Sequence, residues 1–194
     1  MVYGDKDNFA GLIKDINKVL KRGKIRGDQE YDFGSCYAVN CMGHAFFNFK
    51  NNDINDLSAH YKSELHYYFW MFDRFDMFHY YTSPRRLCKQ TEKDLIEKIK
   101  KSSLKMEECK ENDELERGQW KVAYFFSFEP GREDFHFMRQ EEDGEWSSKA
   151  GSSMKVEKFK KLPKKYNSYR LIKIYKVTNP YIVAENDRLD EERE

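Results

Sequence analysis

The feature that most constrains the fold is a change in the spacing of apolar residues at about residue 118. Before it, apolar side chains recur every three or four residues, as in amphipathic helices; after it they alternate, as in strands. The alternation is clearest in QWKVAYFFSF, where one face carries Trp120, Val122, Tyr124, Phe126 and Phe128. Helices first and strands second predict an α+β fold, with N-terminal helices packed on a C-terminal antiparallel sheet.

Turn signals divide the second half of the chain into strands. Pro130 and Gly131 turn the chain into DFHFMRQ, which predicts a second strand. The Asp143-Gly144 pair is a strong hairpin signal and leads into EWSSK. The segment YRLIKIYKVT predicts the last strand of the series.

Four segments of the first half predict helices. The clearest are residues 7–21 and residues 92–103, the latter with Thr91 as N-cap. The run CYAVNCMGHAFFNF predicts a more apolar helix that begins at Cys36, with Ser35 as its N-cap. A longer helical region is predicted from about residue 55 to residue 81.

Charge and hydropathy exclude several classes of protein. Lys and Arg number 35 against 34 Asp and Glu, for a net charge of +1, which argues against a nucleic-acid partner. No segment has the roughly 18 uninterrupted apolar residues of a membrane span, and no apolar run follows a basic start. We therefore expect a protein that acts in the cytoplasm, or one secreted without a cleaved signal peptide.

The cysteines follow no metal-binding spacing. The chain has four, at positions 36, 41, 88 and 109, and none forms a CxxC pair. We therefore expect reduced thiols and no metal or other cofactor. A weaker alternative is a zinc or redox protein that uses Cys36, Cys41 and His44.

Cys36 and His136 are the candidate catalytic residues. A thiol at the start of a helix has a lowered pKa, because the helix N-terminus favours the thiolate. Read alone, Cys36 could equally be a small buried apolar residue. A cysteine at a helix start and a histidine on a distant strand are, however, the pair that a cysteine hydrolase needs.

Two blocks of the sequence resemble a group of bacterial and phage proteins that is similar to papain-like cysteine hydrolases. The first is SCYAVNCMGHA, which resembles a Cys-Tyr motif. The second is HFMRQEEDGEWSSKAG, which matches the group's block at His136, Phe137, Arg139, Gln140, Asp143, Gly144, Trp146, Ser147, Lys149 and Gly151. Met138 stands where the group has an aromatic residue, and Ser148 where it often has a second histidine.

The resemblance implies one papain-like domain over residues 1–194, with Cys36 as the nucleophile and His136 as the general base. Gln140, Asp143 and Ser148 are candidates for the group that orients the imidazole, although Asp143 is better explained by the hairpin turn. Gln29 is a candidate oxyanion-hole donor. The expected parts of this domain are an N-terminal helix and loop (1–34), a helical part (35–110), an antiparallel sheet (118–180) and an acidic tail (185–194).

The function so implied is hydrolysis of an amide bond in a protein or peptide substrate through an acyl-thioester. Peptidase, amidase and deamidase reactions share that intermediate, so the sequence leaves all three open. A secreted bacterial effector is one setting that would fit. The alternative is a non-catalytic protein-binding module on the same fold, for which we expect no unusually reactive cysteine.

Overall fold

The structure, a computed structural model, describes residues 6–22, 39–47, 53–57, 59–61, 83–151 and 153–183. In these residues helices precede an antiparallel sheet, which confirms the predicted α+β class. The helices referred to below are α1 (Lys6–Lys21), α2 (Cys41–Phe46) and α3 (Pro84–Lys101). None of the helices described is long and apolar enough to cross a membrane.

The first helix agrees with its prediction. Residues 7–21 were expected to be helical, and α1 covers Lys6–Lys21. Leu12, Ile16 and Leu20 recur at four-residue intervals and are buried, so the predicted apolar stripe is the face that packs on the core. Of the predicted helical region from 55 to 81, residues 53–57 and 59–61 are helical, and residues 62–82 lie outside the described part.

The second helix begins five residues later than predicted. It starts at Cys41 rather than Cys36, because the Asn40 side chain accepts hydrogen bonds from the backbone N–H groups of Met42 and Gly43 at 2.9 and 3.2 Å. Asparagine is among the best N-cap residues, and Asn40 itself is extended. The predicted cap, Ser35, lies outside the described residues.

Replacing Asn40 by alanine is expected to lower the free energy of unfolding by about 1–2 kcal/mol, since two buried N–H groups lose their acceptor. Ser83 provides a matched control, because it is the N-cap of α3 but makes no side-chain cap hydrogen bond. Ser83→Ala should change stability by less than about 0.5 kcal/mol. Urea denaturation of both variants would check the pair, and equal losses would contradict this account of the α2 start.

The third helix begins earlier than predicted. The sequence suggested residues 92–103 with Thr91 as cap, whereas α3 begins at Pro84 with Ser83 at the N-cap position. Proline suits the first turn of a helix, whose N–H groups have no intrahelical acceptor. Thr91 lies inside α3, where its hydroxyl donates to the Leu87 carbonyl at 3.0 Å.

One antiparallel sheet follows the helices. Its strand order is β1-β7-β2-β3-β4-β5, and β6 pairs with β7 outside this path. The four segments predicted as strands are β2, β3, β4 and β7, while β1, β5 and β6 were not predicted. The bounds are β1 (Lys105–Cys109), β2 (Gln119–Ser127), β3 (Asp134–Gln140), β4 (Trp146–Lys149), β5 (Val156–Phe159), β6 (Lys165–Tyr166) and β7 (Tyr169–Thr178). Residues 35–110 were expected to form a helical part, but β1 lies within them, so this part also contains a strand.

Both faces of the central strands are buried. The predicted stripe of β2, from Trp120 to Phe126, joins the residues of α1, α2 and α3 in one core. The intervening residues, Ala123 and Phe125, form a second core with Met138 and Trp146. Because side chains alternate along a strand, neighbouring residues of β3 also face different cores. This alternation decides which polar side chains of β3 and β4 meet.

Candidate functional site

His136 lies in the middle of β3, where it is paired with Phe125 of β2 and is only 4% exposed. Its imidazole is stacked on the ring of Tyr166, with centroids 5.0 Å apart, and is tilted against the ring of Tyr169 at 5.5 Å. Burial lowers the pKa of His136 to about 4, because the charged imidazolium loses its hydration. At neutral pH the side chain is therefore an uncharged imidazole.

Ser148 holds one nitrogen of this imidazole. The His136 Nε2 atom and the Ser148 Oγ atom are 2.7 Å apart, and both residues are buried. Among the described residues, Ser148 is the hydrogen-bond partner found for His136, and it bonds to Nε2 rather than Nδ1. The register places Ser148 opposite Met138, two residues from His136 and on the same face of the sheet. Thus two of the predicted site residues lie together.

Gln140 does not join them. It lies at the far end of β3, four residues or about 13 Å along the strand from His136. Its side-chain amide donates to the Gly144 carbonyl at 3.2 Å, inside the hairpin turn. Gln140, a candidate from the sequence, is therefore not the residue that orients the imidazole. Asp143 also belongs to that turn, where its carboxylate accepts the Glu145 backbone N–H at 2.9 Å, as its alternative explanation predicted.

The predicted nucleophile and oxyanion donor, Cys36 and Gln29, lie outside the described residues. The described cysteine nearest to this strand is Cys41, whose thiol accepts a hydrogen bond from the Phe137 backbone N–H. Burial raises the pKa of Cys41 to about 12, so this thiol stays protonated at neutral pH. Cys41 thus has the helix-start position expected of Cys36 but not the expected reactivity.

A second polar cluster occupies the helix-facing side of the same hairpin. His44 Nε2 lies 2.9 Å from Ser147 Oγ, and the Ser147 hydroxyl donates to the Glu141 carboxylate. Burial, followed by the charges of Arg139 and Lys149, lowers the pKa of His44 to about 3. Because the Ser147 hydroxyl donates its hydrogen bond to Glu141, His44 is not placed to remove the hydroxyl proton as a base. His44, Ser147 and Glu141 therefore do not form the catalytic triad of a serine hydrolase.

Two cations complete this cluster and connect it to the helix. The Lys149 ammonium group donates to the carbonyls of Val39 and Gly151, both at 2.6 Å. The Arg139 guanidinium lies over the Trp120 ring at 4.6 Å, and its Nε atom is 3.6 Å from Glu141. These residues fix the beginning of α2 against β3 and β4.

Sequence reasoning missed the aromatic residues around His136. Tyr166 and Tyr169 are paired across the β6–β7 turn, and the intervening Asn167 has a φ of 52°. An asparagine in that conformation is typical of two-residue hairpin turns, so YNSY carried a usable hairpin signal. Tyr169 in turn donates to the Asp134 carboxylate at 2.7 Å, which ties β7 to the beginning of β3.

Of the residues in the weaker metal or redox alternative, Cys36 lies outside the described part of the chain, and Cys41 and His44 lie within it. Cys41 and His44 bond to Phe137 and Ser147 respectively, rather than converging on one point. Among the described residues, no three His, Cys, Asp or Glu side chains are grouped as metal ligands.

Comparison with known proteins gave one family. Residues 37–175 match the model of a domain of unknown function, DUF7689. The matched range includes His136 and Ser148 and begins directly after Cys36. Neither the curated proteins nor the solved structures gave a match.

Proposed function

The chain belongs to the DUF7689 family of domains, and we propose that it is a cysteine-dependent hydrolase that cleaves an amide bond of a protein or peptide. The observation that carries this proposal is the geometry of His136. Its Nε2 atom is held by Ser148 at 2.7 Å, in a neutral imidazole, which leaves Nδ1 as the nitrogen for proton transfer. A general base needs this combination of fixed orientation and an unprotonated nitrogen.

Ser148 takes the role of the orienting residue in this proposal. It stands where the similar bacterial and phage proteins often have a second histidine. Like the side chain of that histidine, a hydroxyl can accept a hydrogen bond from Nε2–H. A hydroxyl can orient the imidazole through this hydrogen bond. Because it carries no charge, it stabilises the imidazolium that forms during the reaction less than a carboxylate does. The proposed site is therefore oriented by a neutral hydrogen bond.

Cys36 is the proposed nucleophile, on the strength of its sequence context. Three peptide units separate it from Val39 and can span at most about 11 Å between the two Cα atoms. The proposal therefore requires that a chain of this length, starting from Val39, reaches His136. Val39 is fixed by Lys149, and two residues later the Cys41 thiol contacts the backbone next to His136. Residues 39 and 41 are thus bonded to β4 and to the β3 backbone next to His136, which supports the pairing.

The chemistry follows from these roles. The Cys36 thiol transfers its proton to Nδ1 of His136, and the thiolate attacks the carbonyl carbon of the amide. When the tetrahedral intermediate collapses, the C–N bond breaks, the amine leaves with the proton from the imidazolium, and an acyl-thioester remains. Water, deprotonated by His136, then adds to the thioester carbon, the C–S bond breaks to release the acid, and the imidazolium returns its proton to the Cys36 sulfur. Gln29 remains the proposed side-chain donor to the oxyanion.

Peptidase, amidase and deamidase activities all follow this course, and all remain within the proposal. The order of the elements, helices before an antiparallel sheet that carries His136, supports a papain-like arrangement. The similarity to bacterial and phage proteins supports action in the cytoplasm, or in a target cell after secretion without a cleaved signal peptide.

The alternative is a non-catalytic protein-binding module. The observation that favours it is the burial of His136, which lowers the pKa of the imidazole and makes it a weak base. A binding module would have a thiol at position 36 of ordinary reactivity, and that is the measurable difference between the two functions.

The pH dependence of iodoacetamide labelling, with the labelled sites assigned by mass spectrometry, tests the proposal. In the wild type, Cys36 should label faster than an ordinary thiol at pH values below 8.5, the ordinary pKa of a thiol, because the neutral His136 imidazole accepts the thiol proton as the sulfur attacks. His136→Ala should return its labelling to that of an ordinary thiol. Cys109 is the internal control, since burial raises the pKa of its thiol.

Two further variants complete this experiment. Cys36→Ser should abolish the fast labelling, which assigns it to the correct thiol. Ser148→Ala should weaken the labelling at low pH without abolishing it, since the imidazole remains but is no longer oriented. A wild type in which Cys36 labels no faster than it does in His136→Ala would exclude the hydrolase and favour the binding module.

A further inference from the structure

The hydrogen bonds around His136 do not end at Ser148. The Ser148 hydroxyl is hydrogen-bonded to that of Tyr166, and Tyr166 O–H donates to the Glu157 carboxylate at 3.0 Å. Glu157 lies directly opposite Ser148 in the β4–β5 pair, so the two side chains share a face of the sheet. Tyr166 reaches them from β6 and is also the ring stacked on His136. Three strands therefore supply one continuous path from the imidazole to a carboxylate.

The direction of each hydrogen bond in this path is fixed by its last member. An ionised carboxylate only accepts, so the Tyr166 proton points to Glu157. The Tyr166 oxygen then accepts from the side chains of Ser148 and Asn167, which leaves the Ser148 oxygen to accept from His136. In this arrangement the His136 Nε2 atom donates its proton to Ser148, and Nδ1 presents a lone pair.

We infer that Ser148, Tyr166 and Glu157 form a relay that fixes the tautomer of His136, with Tyr166 and Glu157 as positioning residues for the base. This inference deepens the proposed function, since it explains how a neutral serine selects the tautomer that the reaction needs. Without Tyr166, the Ser148 hydroxyl could donate to Nε2 instead and place the imidazole proton on Nδ1. In that tautomer His136 could not accept the thiol proton.

Tyr169 provides a matched control. Its ring also contacts His136, and its hydroxyl also donates to a carboxylate, that of Asp134 at 2.7 Å. No hydrogen bond between Tyr169 and Ser148 is found among the described residues. Tyr166→Phe and Tyr169→Phe therefore remove the same atom from two similar rings, and only the first interrupts the relay.

The tautomer can be read directly by long-range ¹H–¹⁵N correlation spectra of protein labelled with ¹⁵N at histidine, with the His136 signals assigned from their absence in His136→Gln. At pH 7 the wild type should show the Nε2–H tautomer. Tyr166→Phe and Glu157→Ala should lower the ratio of Nε2–H to Nδ1–H by roughly 3- to 10-fold, as expected for the loss of one hydrogen bond. Tyr169→Phe should leave that ratio unchanged.

Three results would overturn the relay: an Nδ1–H tautomer in the wild type, an unchanged ratio in both Tyr166→Phe and Glu157→Ala, or an equal change in Tyr169→Phe. The backbone amide spectrum of each variant confirms that it is folded. Because the tautomer is read without any reaction, its outcome is separate from that of the hydrolase. A relay with an unreactive Cys36 would remove only the proposed function, whereas a reactive Cys36 with an unchanged tautomer would remove only the relay.

Discussion

Substituting Glu141 by glutamine is expected to lower the free energy of unfolding by about 3–5 kcal/mol, the range for breaking a buried ion pair by removing one partner. The Glu141 side chain is 9% exposed, accepts the Ser147 proton and lies 3.6 Å from the Arg139 Nε atom. Glutamine has nearly the same shape, so the substitution removes the buried negative charge that faces the Arg139 guanidinium. Guanidinium chloride denaturation at pH 7.5 measures the loss.

The neighbouring Glu142 supplies the control for this variant. Glu142 is exposed, and Glu142→Gln should change the free energy of unfolding by less than about 0.5 kcal/mol. A double-mutant cycle with Ser147→Ala would show how much of the loss comes from the Ser147 hydrogen bond. If Glu141→Gln and Glu142→Gln were equally stable, the helix-facing cluster would not hold α2 to the hairpin in the way described.

This cluster matters to the proposed site because it determines where the chain before α2 enters the fold. Lys149 bonds to the carbonyl of Val39, two residues before α2, and His44 of α2 bonds to Ser147, so β4 holds both the helix and the residues that lead into it. The neighbouring residue of β4, Ser148, faces the other way and holds His136. One strand thus docks the helix with two alternate side chains and orients the imidazole with the one between them.

The sheet was predictable where local signals were strong. Alternating apolar residues defined β2, and the Asp143-Gly144 pair defined the β3–β4 hairpin, whose Gly144 has a φ of +83°. The short strands β5 and β6, with four and two residues, alternate over too few positions to give such a signal. Their positions depend on pairing with β4 and β7, which is a tertiary property.

The start of α2 was not predictable from apolar spacing alone. Residues 36–47 are apolar enough to suggest one helix, yet the Asn40 side chain caps the backbone within that run. Capping competes with helix continuation at any asparagine, and the surrounding packing decides between them. The same reasoning separates the two parts of the candidate site. His136 and Ser148 were identified from one motif, whereas Tyr166 and Glu157 come from the strands that were missed.

Lowering the pH from 7.5 to 5 is expected to cost about 4 kcal/mol of stability through His44 and His136 together. Burial lowers the pKa of these residues to about 3 and about 4, from an ordinary value of 6.5. Below pH 6.5 the unfolded chain therefore takes up protons that the folded chain does not, and stability falls as the pH falls. Each histidine loses about 1.4 kcal/mol per pH unit, or about 2 kcal/mol at pH 5. The loss continues until the pH reaches the pKa of each folded group.

Urea denaturation between pH 7.5 and pH 5 in variants isolates this contribution from that of the carboxylates. His44→Gln keeps an amide donor for Ser147 but cannot be protonated, so it should remove about half of the histidine-dependent slope, and a double variant with His136→Gln should remove nearly all of it. His60→Gln is the control, because His60 is exposed. Equal slopes in His44→Gln and the wild type would show that His44 is protonated in the folded protein. That result would contradict its place as a neutral donor in the cluster that docks α2.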